Sequence, residues 1–421
     1  MIEYLNYAVT WFINLGGTYF VPIVMLVIGL ACKTGLAKSF KSALFIGIGL
    51  SGLSLIIDFS INAMQPVTEA LSERFGSDFS ILDIGYGMCS LAWSWPGVPL
   101  VILGVVAVNI ILVSLKLTKT LWVDMWNIWH GQALGVMFWA LTGSLTAGII
   151  MGIGVLVLSM FLADFHAKEF QKFNDLKGIT VPAPAATFAA TYAFFAMKLI
   201  NCIPLLKDVK ASSTDIKDKF GIFGESSIIG AVLGAIMSLI SGLSISQTIQ
   251  ISIQIAAVLV ILPIMLQIVA DGIIPITENL SVFMQSKFKN RELNIAVDPV
   301  LLLKDPSVMS TVVIMYPISL FIAAIIPGNH FLPVASLAAL PFWIGGIAPY
   351  TKGNIIHNVI LTSIWIIPTT LAATYLAPLT TEANKLAGVL SNNGPINSWD
   401  EGGNLLMWGV TYLYNFLGFN G

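Results

Sequence analysis

The chain has 421 residues, of which 57% are hydrophobic and only 10% charged, with a net charge of −2 and a mean hydropathy of +0.87. Water-soluble domains carry about 25% charged residues, so a soluble enzyme is excluded and the composition is that of a polytopic membrane protein. The near-neutral charge balance argues against nucleic acid or an acidic macromolecule as partner.

The predicted elements are apolar stretches near the ~20 residues that cross a bilayer. In chain order they are Tyr19–Ala31, Ala43–Ile57, Val98–Leu115, Gln132–Leu162, Ala183–Leu206, Ser227–Leu243, Ile249–Val269, Ser310–Ile326, Phe331–Ala348 and Ile355–Ala377. Some are short or broken by Gly and Pro, and the pattern predicts about ten or eleven spans. No charged region with a cleavage site opens the chain, so the first helices are expected to serve as the insertion signal. Lysine clusters at Lys33/Lys38/Lys41, Lys116/Lys119, Lys168/Lys172/Lys177, Lys207/Lys210/Lys217/Lys219 and Lys287/Lys289/Arg291 mark candidate cytoplasmic loops, and the acidic Glu69–Asp78 an outer one. The longest polar stretches are each too short for a core of their own. The whole of 1–421 is therefore expected to be one membrane-embedded unit.

Two segments carry polar and helix-breaking residues between apolar flanks. Residues 79–99 hold Asp83, Gly85, Tyr86, Gly87, Trp93, Trp95, Pro96 and Gly97; residues 293–309 hold Asp298-Pro299 and Asp305-Pro306. Non-helical backbone at membrane depth persists only where it faces protein or a water-filled cavity. Paired broken segments in the two halves of a transporter point to its binding site, and both segments are predicted to be re-entrant hairpins.

Acids inside apolar sequence cost at least ~2.5 kcal/mol each at the bilayer centre, so each is a functional candidate. They are Asp58, Asp83, Asp124, Glu225, Asp271 and Asp298. For Asp58 and Asp271 a locally satisfied carboxylate is the better reading; Asp83, Asp124 and Asp298 point to function. Asp298 and Asp305, each before a proline, also fit helix N-caps. No cofactor, disulfide framework or metal site is expected from three cysteines without C-x-x-C spacing and four scattered histidines. Only two arginines exist, Arg74 and Arg291, which favours a neutral ligand over an anion.

The richest run is Asp124-Met125-Trp126-Asn127-Ile128-Trp129-His130. Indoles stack on the C–H faces of sugars, and carboxylate, amide and imidazole groups hydrogen-bond hydroxyls. An interfacial aromatic belt explains the tryptophans equally well.

At these motifs the chain resembles the galactitol-type membrane subunit (enzyme IIC) of the bacterial phosphoenolpyruvate-dependent sugar phosphotransferase system, and more distantly the ascorbate permeases of that system. The likeness runs to about residue 375 and rests on D-x-W-N-I-W-H at Asp124–His130, K-F-G-x-F-G-E at Lys219–Glu225, D-G-x-x-P-I at Asp271–Ile276, D-P-x-L-L-L at Asp298–Leu303 and P-G-N-x-x-L-P at Pro327–Pro333. It implies an all-α inner-membrane homodimer with two re-entrant hairpins, an inverted repeat, and a core domain that slides as an elevator against a V-shaped scaffold domain. Asp83 and Tyr86 would sit at the first hairpin tip and Asp298 at the second. His130 and Gln132 would contribute from the helix between them, and Pro182 to Thr187 from the next. Asp124, Trp126, Asn127 and Glu225 complete the candidate ligand-binding set. A neutral polyol or sugar would be phosphorylated by a separate IIB protein fed by IIA, with Asp298 or His130 accepting the hydroxyl proton. The loop Lys207–Glu225 would dock IIB.

The chain departs from the pattern at Ser226 after Glu225, at Val181-Pro182-Ala183-Pro184 where a histidine is usual, at Ser336 in place of an acid, and at His357 in place of an arginine. Competing classes are an ion-coupled secondary transporter of a small polar solute and a non-transporting membrane sensor or scaffold.

Overall fold

The computed structural model describes residues 17–31, 33–75, 79–122, 124, 126–175, 177–207, 209, 226–287, 292–389 and 394–418. These residues are mostly helical. The principal helices are α1 (Gly17–Ala31), α2 (Leu36–Phe75), α3 (Gly87–Ala92), α4 (Val98–Ser114), α5 (Trp129–Thr142), α6 (Leu145–Asn174), α7 (Pro184–Ile200) and the short α8 (Pro204–Lys207). After them come α9 (Ser226–Ser241), α10 (Ile245–Lys287), α11 (Pro306–Ile325), α12 (Leu340–Thr351), α13 (Ile355–Ala387) and α14 (Leu405–Phe416). Among the described residues α6, α11 and α13 combine the length and apolarity of membrane-crossing helices, and α4 and α7 are shorter apolar helices. Such helices satisfy every backbone group internally, as hydrocarbon requires.

The apolar run Gln132–Leu162, read from the sequence as one span, folds as two helices. Gly143 takes a left-handed conformation at φ 68°, and Ser144 caps α6 by accepting a hydrogen bond from Ala147 N at 3.3 Å. Neither residue is charged, so hydropathy alone passes over the turn. The run Phe331–Ala348 also differs from a simple span. Only its second part is α-helical; Ala335–Ala339 is a 3₁₀ turn, and Phe331 is buried in extended backbone.

Helices α1, α2, α9 and α10 pack in sequence, α2 and α9 both lying along α10. Elsewhere α5 packs on α6, α7 on α12, and α11 on α13. The α5–α6 contact is close because two glycine pairs face each other. A Cβ on Gly131 would lie 2.6 Å from the Gly152 carbonyl, and one on Gly148 2.6 Å from the Gly135 carbonyl. Small residues spaced by four in this way let membrane helices approach backbone to backbone.

Five very short strands bind the two broken segments into the rest of the chain. Strand β1 (Leu82–Asp83) pairs in parallel with β5 (Ile396–Asn397), and the neighbouring Ile81 bridges to Phe331. Strand β4 (Asn294–Ala296) lies between β2 (Thr120–Trp122) and β3 (Ile179–Thr180), parallel to both. Each broken segment is thus clasped by strands from the other part of the sequence. The irregular backbone expected over 79–99 and 293–309 is present, and much of it is buried.

Candidate functional site

Strand β2 leads the chain into the 3₁₀ turn Trp126–Ile128 and then α5. Asn109 of α4 fixes that entry, donating to Thr120 O at 2.9 Å and accepting from Trp122 N at 3.0 Å. Asp124 then caps the turn, accepting from Asn127 N at 3.1 Å and from Asn127 Nδ2 at 2.6 Å. The same Asn127 Nδ2 donates to Asp298 Oδ2 at 3.0 Å. One carboxamide therefore links two acids that are 174 positions apart by number, 298 − 124. Asp298 is the N-cap expected from its sequence, accepting from Val300 N at 2.8 Å, and Asp305 likewise accepts from Ser307 N at 2.8 Å.

In the first turn of α5, His130 is buried and stacks on Trp129 with ring centroids 4.0 Å apart. Tyr86 meets Trp129 edge-on at 6.1 Å, and its hydroxyl donates to Ala338 O at 3.3 Å. Trp126 stacks on Trp93 at 6.2 Å. The aromatic run thus lines a buried polar cluster, and Trp129 itself is only 2% exposed, unlike the indoles of an interfacial belt.

Several candidates are held by structural hydrogen bonds. Asp83 accepts from Gly85 N, Ser336 N and Ser336 Oγ at 2.5–2.9 Å. An acid at 336 would face Asp83 with like charge, which gives Ser336 a physical reason. Gln132 has both ends of its amide in use, accepting from Trp95 Nε1 and donating to Val98 O, each at 3.0 Å. Thr187 shares a hydrogen bond with Ser159 at 2.7 Å, and Ser159 donates to Pro182 O. Glu225 and nearly all of the Lys207–Glu225 loop lie outside the described residues, as do the side chain of Asp58 and the K-F-G-x-F-G-E motif. Asp271 is exposed and accepts from Gln267 Nε2 at 2.7 Å.

The fold adds two acids that sequence reasoning missed. Glu401 Oε1 lies 2.5 Å from His130 Nδ1, and its Oε2 accepts from Asn404 Nδ2 at 2.8 Å. Asp400 sits beside it, and the ligand atoms of His130, Asp400 and Glu401 all lie within 4.8 Å of one another. Two carboxylates and an imidazole so grouped could take hydroxyl hydrogens, a proton or a metal ion. The available signal was the run Asp400-Glu401-Gly402-Gly403, two adjacent acids before paired glycines. The glycines are needed there: a Cβ on Gly403 would sit 2.7 Å from the Thr369 carbonyl, and one on Gly402 would meet Ser398 O at 2.6 Å.

Comparison with known proteins places these residues in context. Residues 11–394 match the family described as the sugar-specific permease component of the phosphotransferase system. Over 96% of its length the chain is 30% identical to the galactitol-specific EIIC components of Escherichia coli strains K12 and O157:H7, covering 90% of each. It is also 31% identical to a permease IIC component of Escherichia coli K12 whose name gives no substrate, over 96% of this chain and 93% of that one.

Proposed function

Since the chain belongs to the galactitol-type sugar-specific permease components of the phosphotransferase system, we propose that it carries a neutral polyol or sugar, galactitol or a related hexitol, pentitol or ketose, across the bacterial inner membrane for phosphorylation inside. The observation that supports this most is the Asp124–Asn127–Asp298 bridge beside His130, a set of hydroxyl-binding groups inside an apolar core. Asp298 and His130 face the reacting hydroxyl. Asp124 and Asn127 hold Asp298, Tyr86 and Trp126 supply ring faces, and Asp83, Gln132, Pro182 and Thr187 shape the surrounding wall.

In the phosphorylation step the sugar oxygen attacks the phosphorus of a phosphocysteine on IIB. The S–P bond breaks, the thiolate leaves, and the hydroxyl proton passes to His130 Nε2 or to the Asp298 carboxylate. With His130 Nδ1 held by Glu401, Nε2 is the nitrogen left for that transfer, the same logic by which a carboxylate fixes a catalytic imidazole. The permease contributes positioning and a proton acceptor; phosphate comes from IIA through IIB. The two broken segments serve as hairpins of an inverted repeat, the core moves as an elevator between outer and inner openings, and two protomers pair through the scaffold. Glu225 and the Lys207–Glu225 loop belong to the IIB-facing side.

The test is uptake of labelled galactitol, and of a hexitol, pentitol and ketose panel, into proteoliposomes. Accumulation is expected only with phosphorylated IIB supplied inside, and facilitated exchange without it. Asp298→Asn and His130→Ala should each lower coupled uptake by about 10²-fold or more, the scale of a lost general base, with the protein still folded. Accumulation driven by an imposed proton or sodium gradient alone would overturn the reading in favour of ion-coupled transport. Binding or exchange of no tested polyol would favour a sensor or scaffold.

A further inference from the structure

Three elements place the groups of the candidate site: α5 carries His130, β2 leads into Asp124 and Asn127, and β4 leads into Asp298. Strands of two or three residues do not hold a geometry alone and need packing against a helix. Side chains on α6 supply the ties. Asp164 accepts from Thr118 Oγ1 at 2.5 Å, from Lys119 N at 3.0 Å and from Thr120 Oγ1 at 2.8 Å, which anchors the start of β2. About two turns further along α6, Gln171 Nε2 donates to Asn294 Oδ1 at 2.9 Å and to Ile179 O at 3.0 Å, joining β4 and β3. Thr180 Oγ1 adds a bond from β3 to Ala163 O at 2.8 Å. Every strand of this sheet is therefore fastened to one helix.

The register of the sheet fixes what those ties transmit. Trp122 pairs with Ala296, and Asp124 and Asp298 each stand two residues beyond that pair. The parallel register thus brings the two acids level, where Asn127 Nδ2 reaches both, at 2.6 and 3.0 Å. A strand advances about 3.3 Å per residue, so a slip of β4 against β2 by even part of one residue takes Asp298 out of reach of Asn127. The third group is referred to the same helix: α5 lies on α6 through the facing glycines, and the first of these, Gly131, follows His130 directly. Helix α6 is the common frame for His130, Asp124 and Asp298, although none of its own side chains is among them.

We propose that Asp164 and Gln171 are positioning residues: from α6 they hold β2 and β4 in the register that sets Asp298 against Asn127 and beside His130. The proposal rests on the permease reading above and deepens it by naming residues, outside the recognised motifs, that govern the phosphorylation step without touching the sugar. Their loss slows proton transfer at the reacting hydroxyl more than it weakens polyol binding.

The test is IIB-dependent phosphorylation of galactitol and the polyol panel by the full chain in proteoliposomes, with kcat counted per folded permease. Gln171→Met keeps the length of the side chain and removes the donor. Asn294→Ala removes the acceptor from β4 and, at a half-buried position, is the variant that spares folding. Each is expected to lower kcat about tenfold with KM changed less than about threefold, the scale of a sub-ångström displacement at a reacting group. Asp164→Asn, which sets an amide N–H against donors at the start of β2, should do the same. The cycle with Asp298→Asn gives the sharper reading. A tie that acts through Asp298 has nothing left to position there, so Gln171→Met should cost at most about twofold more in that background. A purely structural tie would lower the melting temperature and leave kcat per folded molecule unchanged. The proposal is overturned if folded Gln171→Met and Asn294→Ala keep kcat within about twofold of an active wild type, or if their losses multiply in full with that of Asp298→Asn. Those results leave the permease reading standing, whereas phosphorylation of no panel member by the wild-type chain overturns both.

Discussion

Asn127 shows how one residue sets the chemistry of the site. Its carboxamide has two N–H bonds on Nδ2, and each is directed to a different carboxylate, Asp124 or Asp298. Replacing it with leucine would remove the donor between the two acids, leaving Asp124 only backbone N–H donors such as that of residue 127 and Asp298 only that of Val300, at a cost of about 1–3 kcal/mol for the unsatisfied groups. Asn127→Leu should therefore lower the apparent melting temperature of the purified protein. Adding Asp298→Asn should recover part of that loss, because only one charge then remains in the gap. Additive losses, or an unchanged melting temperature for the single variant, would show that the bridge carries no load. The bridge was half legible in the sequence. Asp124, Asn127 and Asp298 stand out as polar residues against apolar flanks, and intramembrane acids are costly enough to notice. That Asn127 joins the two acids is a tertiary fact. The same limit hid Asp400 and Glu401, whose partner His130 lies 271 positions away from Glu401 and whose own neighbourhood reads as a polar loop.

At the scale of elements, His130 is aimed by the way α5 lies on α6. Gly131 and Gly135 on α5 face Gly152 and Gly148 on α6, in reversed order because the turn at Gly143-Ser144 makes the helices antiparallel. A side chain at Gly135 would be driven into the Gly148 carbonyl 2.9 Å away. Gly135→Leu should force the helices apart, cost about 1–3 kcal/mol through overpacking, and displace His130 one and a half turns earlier on the same helix. A shift of ~1 Å at a reacting group can cost about 10²-fold in rate, so coupled uptake should fall further than stability. Gly154→Ala is the control, since nothing lies within 4 Å of its added Cβ. Uptake measured at equal membrane abundance separates the two, and an equal fall in both would rule out a role for the close approach. Helix breaking over 79–99 and 293–309 was readable because Asp-Pro and Trp-Pro-Gly have local conformational preferences. The α5–α6 turn was missed because hydropathy averages over it, although Gly143 and the N-cap Ser144 carry a local signal. Strands of two or three residues leave no periodicity to read.

Across the whole molecule, strand pairing interlocks the chain: β4 is held between β2 and β3, and β1 between β5 and Phe331. That exchange brings acids from residues 83, 124, 298, 400 and 401 into one region, and among the described residues no lysine or arginine is buried with them. Family resemblance made the class of protein legible, and composition made the membrane legible, but this concentration of one charge sign follows from the interlocking alone. It bears on the direction of transport. A neutral polyol enters such a region as a hydrogen-bond donor, whereas its phosphate ester enters as a dianion. A dianion ~8 Å from a single carboxylate, at an effective dielectric of ~20, is disfavoured by about 4 kcal/mol, and screening by salt is weak in a partly buried site. The sugar phosphate should therefore bind the permease at least ~100-fold more weakly than the sugar, so that phosphorylation expels the product and leaves the site free for another inward cycle. Competition between galactitol and its phosphate on the purified permease measures this directly. Comparable affinities would mean that a cation neutralises the acidic cluster. That result would also move the grouping of His130, Asp400 and Glu401 from sugar recognition towards ion binding.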